Sequence, residues 1–181
     1  AEGVTQTGQE VTAIVAENFT RRATSVCLMA EIAGVELFPV DIGMAVDVPA
    51  VTKPEYKVMS GTKDMLLEPA MTREQAAQAV LTGIHMVEKL AGQGYDLLAT
   101  GEMGIGNTTT SSAVAAVLLE RDAAEVTGRG AGLSSEGLSR KIDVIRRSIE
   151  LHQPDKEDAL DMLSKVGGLD IAGLAGVFLG G

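Results

Sequence analysis

The stretch that most constrains this chain runs from Tyr95 to Ser112, Tyr-Asp-Leu-Leu-Ala-Thr-Gly-Glu-Met-Gly-Ile-Gly-Asn-Thr-Thr-Thr-Ser-Ser. A short apolar run, Leu97 to Ala99, leads into Gly101, Gly104 and Gly106, and an alanine-rich run from Ala113 to Leu119 follows. That order predicts a strand, a glycine loop and a helix N-terminus. Glycines let backbone approach a ligand closely. The first N–H groups of a helix lack internal partners and lie at the positive end of its dipole. Such a loop suits a phosphate, with Asn107, Thr108 and Thr109 adding side-chain hydrogen bonds. The plain alternative is a tight strand-to-helix turn with no ligand.

Two familiar phosphate motifs do not fit. A Walker A loop needs a lysine directly after its last glycine, where this chain has Asn107. A dinucleotide fingerprint needs a third glycine three residues after Gly106, where this chain has Thr109.

Charge narrows the partners. A net charge of −10 argues against sequence-independent nucleic-acid binding, which needs a basic surface. No run reaches the roughly 18 apolar residues of a membrane span, and no signal peptide opens the chain, so a soluble cytoplasmic protein is expected. The single Cys27 lies in an apolar run and reads as a small buried hydrophobe.

Along the chain, residues 9–33 show helical spacing broken near Arg21, Arg22, Thr24 and Ser25, which predicts two helices or one bent helix. Val35 to Ile42 is apolar on both faces, as a central parallel strand is. Asp41 at its end falls where α/β sheets place ligands, so Asp41 is a site candidate or a cap for the next loop. Residues 44–69 carry Pro49, Pro54, Gly61 and Pro69 and predict a long loop, with Lys53, Lys57 and Lys63 as solvated charges. Thr72 and Gln75 form a capping box before a helix that ends near Gly92.

A second glycine cluster, Gly128, Gly130 and Gly132, precedes a helix carrying Arg140, Lys141, Arg146 and Arg147. Lys141, in the second turn after that cluster, is the best candidate to pair with a phosphate. Two strands and several helices predict an α/β fold, a Rossmann-like parallel sheet with flanking helices, incomplete as it stands. Residues 1–181 read as a single α/β core domain. The apolar end at Gly181 and the lack of an initiator Met predict a piece of a longer enzyme.

The segment Gly101-Glu-Met-Gly-Ile-Gly-Asn-Thr-Thr-Thr110 resembles nicotinate-nucleotide–dimethylbenzimidazole phosphoribosyltransferase. Further blocks agree in the family's order: Gln9-Glu-Val-Thr12, Val40-Asp-Ile-Gly43, Gly61-Thr-Lys-Asp64, Gly128-Arg-Gly-Ala-Gly132, Lys141-Ile-Asp-Val-Ile-Arg-Arg147 and Leu163-Ser-Lys-Val-Gly-Gly168. The resemblance implies transfer of phosphoribose from nicotinate mononucleotide to 5,6-dimethylbenzimidazole, giving α-ribazole 5′-phosphate and nicotinate in cobalamin biosynthesis. It implies a phosphate held by Gly104, Gly106, Asn107, Thr108 and Thr109 on one side and Gly130 and Lys141 on the other. It further implies a base pocket including Gln9, Asp41 and Met103, an assisting catalytic carboxylate at Glu102, no cofactor, no metal and a homodimer. Two departures qualify it. Thr7-Gly8 stands where the family often has an aromatic-proline pair, and the family's main proposed base, a glutamate in a Gly-Glu-Gly segment, is not in this chain. The chain alone is therefore expected to be inactive. The alternative reading is an inactive fragment, or a phosphate- or nucleotide-binding module with the same loop.

Overall fold

The computed structural model describes residues 2–181. Its elements are α1 (Glu10–Thr20), α2 (Ser25–Ala33), α3 (Arg73–Gly92), α4 (Asn107–Leu119), α5 (Ala123–Val126), α6 (Ser135–His152), α7 (Ala159–Val166) and α8 (Leu169–Gly180). Among the described residues no helix is long and apolar enough to cross a membrane.

Local chemistry explains the long helices. At the start of α3, Gln75 N–H donates to the Thr72 hydroxyl at 3.2 Å and Thr72 N–H donates to Gln75 Oε1 at 2.9 Å, closing the capping box. The buried residues Ala76, Ala79, Gly83, Val87 and Leu90 recur every three or four positions, so one face of α3 is apolar. That face packs on α8, whose buried positions are Leu169, Ala172, Gly173 and Gly176. The approach is backbone to backbone. A Cβ on Gly83 would run into the Gly173 carbonyl oxygen and lie 2.7 Å from Val177 N, and one on Gly176 would run into the Val80 carbonyl, 2.8 Å from its carbon.

A second core lies between α4, α5, α6 and α7, built from Met65, Ala113, Val114, Ala123, Val144, Ile145, Met162 and Val166. Helix α7 joins the two cores. Met162 and Val166, four residues apart, share one face, while Leu163, about 100° further round, packs with Ala76, Ala79 and Ala172. Helix α1 belongs to a smaller cluster of Ala16, Val48 and Val51.

The expected Rossmann-like parallel sheet is not present: among the described residues no strand forms, and the fold is helical. The cause is a lack of neighbours. Segments 35–40 and 95–103 are neither helix nor strand, and no backbone hydrogen bond joins them. A strand exists only through a ladder to another strand. Their link is through side chains: Phe38 and Tyr95 meet edge to face with centroids 5.2 Å apart, and the Tyr95 hydroxyl donates to the Glu36 carboxylate. Apolarity on both faces had suggested a central strand, yet Val35 is 58% and Leu97 89% exposed.

Candidate functional site

Two glycine loops and one buried lysine converge at the start of α4. Gly106 is the N-cap of α4, with φ of +102°, and it offers no side chain to cap the helix. Asn107 N–H returns to Gly104 O at 3.3 Å and Thr109 N–H to Gly106 O at 2.9 Å. The backbone N–H groups of Gly104, Gly106 and Thr108 have no acceptor among the described residues. Thr109 is 4% exposed, and its hydroxyl oxygen is buried without a partner. Helix N-termini in this condition favour an anion.

The second loop closes the other side. A Cβ on Gly130, whose φ is +56°, would lie 2.8 Å from Thr108 Oγ1 and 3.6 Å from Lys141 Nζ, so the two loops touch. Lys141, in the second turn of α6, is 0% exposed. Its ammonium donates to Thr108 Oγ1 at 2.7 Å and to the Gly128 carbonyl at 3.3 Å. Among the described residues no carboxylate pairs with it, and burial pulls it below the ordinary lysine value. A buried cation facing only neutral oxygens is costly unless an anion joins it.

Glu102 lies one step up the same loop, its carboxylate close to the position a Gly104 Cβ would take, at 2.9 Å. Partial burial and then the negative charge of Asp170 push it up to about 7, although the residue keeps solvent contact. Asp170, in the first turn of α8, is itself raised by burial. Its Oδ1 and Thr110 Oγ1 both crowd the position of a Gly168 Cβ, the second at 3.1 Å, which brings the starts of α4 and α8 together. Sequence reasoning missed Asp170. The signal was an acid just past Gly167-Gly168, at the end of a block that resembles the family.

The sign of the Glu102 shift fixes a pH dependence. A carboxyl raised from 4.5 to about 7 holds its proton in the folded chain where the unfolded chain has released it, so its favourable contribution is complete below about pH 4.5 and is lost as pH rises through 7. A carbon-13 titration of Glu102 is expected to show a midpoint near 7. Asp170→Asn lowers that midpoint only part of the way, because burial is the larger cause. A midpoint near 4.5 in the unaltered chain would contradict this.

The remaining candidates are placed differently. Asp41 is 1% exposed and fully engaged: it accepts from Met44 N at 2.7 Å, the Thr52 hydroxyl at 2.5 Å and Lys57 Nζ at 3.1 Å. None of these partners belongs to a glycine loop. Lys57, expected as a solvated charge, is nearly buried in this latch and also binds Asp47 and the Met44 carbonyl. Burial would lower its ammonium, but the bonds to Asp47 and Asp41 outweigh burial and hold it above the ordinary value. Gln9 is the N-cap of α1, and its side chain makes no capping bond. The α1 N-terminus reaches the glycine loop through Thr12, whose hydroxyl accepts from Ile105 N at 3.0 Å, and Met103 lies half-buried in that loop.

Comparison with known proteins gives this geometry a family. The phosphoribosyltransferase family model matches residues 1–181. A nicotinate-nucleotide–dimethylbenzimidazole phosphoribosyltransferase of Clostridium tetani is 45% identical over 179 residues, covering 99% of this chain and 49% of that enzyme. The enzyme of the same name from Roseiflexus castenholzii is 49% identical over 179 residues, covering 98% of this chain and 51% of its own length. The crystal structure of CobT from Thermus thermophilus superposes with a TM-score of 0.90 at 36% identity, over 99% of this chain and 54% of that one. The chain thus spans about half the length of the relatives it matches. With the family model matched from first residue to last, the chain belongs to the phosphoribosyltransferase family.

Proposed function

We propose that this chain carries the phosphate-binding half of an enzyme that transfers phosphoribose from nicotinate mononucleotide to 5,6-dimethylbenzimidazole, giving α-ribazole 5′-phosphate and nicotinate. The observation that carries the reading is Lys141, a buried ammonium that has no counter-charge among the described residues and lies beside helix N–H groups with no acceptor among them. The 5′-phosphate supplies that charge. It accepts hydrogen bonds from the N–H groups of Gly104, Gly106 and Thr108, from the Asn107 side chain and from the Thr109 hydroxyl, while Gly130 leaves room for it and Lys141 neutralises it. Gripping the phosphate fixes the ribose for in-line displacement, which lowers the barrier through positioning.

The attacking ring nitrogen must shed a proton as nicotinate leaves. Glu102, with a value near 7, suits an assisting general base, since such catalysis is most effective when the group titrates near the working pH. Gln9 and Met103 belong to the base pocket in this reading, and Asp41 supports it by fixing the 41–60 loop. The whole enzyme is proposed to act in the cytoplasm as a homodimer.

The direct test is Gly106→Val. At φ of +102° a β-branched residue is strained by about 1–3 kcal/mol, and the loop has to shift to relieve it. Nicotinate mononucleotide binding, followed by calorimetry, is expected to be lost while circular dichroism retains the helical signal. Unchanged affinity would show that the loop does not hold the phosphate.

A further inference from the structure

The segment before and including the first turn of α1 touches both glycine loops. Thr12 Oγ1 accepts the Ile105 N–H at 3.0 Å across 93 positions of sequence. Among the described residues this is the one backbone N–H between 101 and 106 taken by a protein group. Six residues earlier, Gln6 Nε2 donates to the Gly132 carbonyl at 2.6 Å, in the second loop. Arg140 of α6 donates to the Gly3 carbonyl at 3.3 Å, which fastens the start of the segment beside Lys141.

A glycine-rich loop has more conformational freedom to lose than other backbone, so its unbound geometry needs an external hold. The N–H groups of Gly104 and Gly106, on either side of Ile105, have no acceptor among the described residues. The peptide that carries the Ile105 N–H also carries the Gly104 carbonyl, which accepts from Asn107 N–H at 3.3 Å, so the Thr12 bond holds the turn that leads from Gly104 into α4. The two loops also have to stay in contact for Thr108 to reach Lys141 at 2.7 Å. Each loop is held from the same short stretch.

We infer that Thr12 and Gln6 are positioning residues: they strap the two glycine loops at the spacing that presents the Gly104 and Gly106 N–H groups, Thr108 and Lys141 to one phosphate. The choice of ligand rests on the function proposed above, whereas the strap itself does not.

The 181-residue chain is tested without ligand by the amide hydrogen exchange of Ile105, and with nicotinate mononucleotide by calorimetry. Thr12→Val keeps the shape of the side chain and removes the acceptor. Exchange at Ile105 is expected to speed up by about tenfold and nucleotide affinity to fall by about fivefold, in line with one ordinary hydrogen bond. Thr12→Ser restores both. Gln6→Ala, at an exposed position, lowers affinity without changing the thermal midpoint. Unchanged Ile105 exchange in Thr12→Val, or a Thr12→Ser variant that behaves like Thr12→Val, overturns the strap. If the unaltered chain binds no nucleotide while the exchange contrast holds, the strap stands and the phosphate reading fails.

Discussion

Lys141→Ala is expected to weaken nicotinate mononucleotide binding by about tenfold to a hundredfold, the worth of a charge-assisted hydrogen bond of roughly 1.5–3 kcal/mol. Binding of nicotinate, which carries no phosphate, should change little. The side chain is 0% exposed, and among the described residues its partners are Thr108 Oγ1 and the Gly128 carbonyl. Removing a buried group also risks the fold, and Lys141→Met separates the two effects. Methionine fills similar space without a charge, and removing the charge removes the cost of burying it unpaired. Lys141→Met should therefore lose phosphate affinity as Lys141→Ala does, while its thermal midpoint stays level or rises. Equal losses for nicotinate and its mononucleotide would contradict the assigned role.

The largest stability effect is expected at the crossing of α3 and α8. A methyl group on Gly176 would meet the Val80 carbonyl, and one on Gly83 the Gly173 carbonyl, so the helices can accommodate either only by moving apart. Backbone has no alternative rotamer into which to retreat. Overpacking of side chains costs about 1–3 kcal/mol, and this backbone case should lie at or above the top of that range. Gly176→Ala is then expected to lower the melting temperature by about 6–12 °C, at roughly 2–4 °C per kcal/mol for a chain of this size. Gly92→Ala is the control. A Cβ there meets nothing within 4 Å, so the change should leave the midpoint level or raise it slightly. A loss at Gly92→Ala as large as at Gly176→Ala would show that the close crossing does not set the effect, since Ala is the better helix former and meets nothing there.

The sequence carried its helices well because their signals are local. Thr72 and Gln75 announce the start of α3, the break near Arg21–Ser25 separates α1 from α2, and the polar residues after Gly106 mark the start of α4. The parallel sheet was misread for the opposite reason. Apolar runs at Val35–Ile42 and Leu97–Ala99 have strand composition, but a strand is a relation between segments; Phe38 and Glu36 meet Tyr95 through side chains, and among the described residues no backbone hydrogen bond joins 35–40 to 95–103. At the site, the glycines and Lys141 were legible as types of residue in a pattern. Their convergence followed from the family resemblance and not from spacing, because Thr108 and Lys141 stand 33 positions apart. Asp170 and Thr12 escaped for the same reason: an acid after Gly-Gly and a threonine in a helix are ordinary until the fold sets one near Glu102 and the other on Ile105. Asp41 shows the converse. Its place at the end of an apolar run suggested a site residue or a cap for the next loop, and its bonds to Met44 N, Thr52 and Lys57 show it holding that loop.

The start of α4 and Lys141 are proposed to hold together the 5′-phosphate of a mononucleotide. The most direct test is amide NMR of the chain titrated with nicotinate mononucleotide and, separately, with nicotinate riboside, which lacks only the phosphate. Saturable shifts are expected at the amides of Gly104, Gly106 and Thr108 with the mononucleotide, and none of that size with the riboside. Equal shifts with both ligands, or none at these amides with either, would contradict the phosphate assignment.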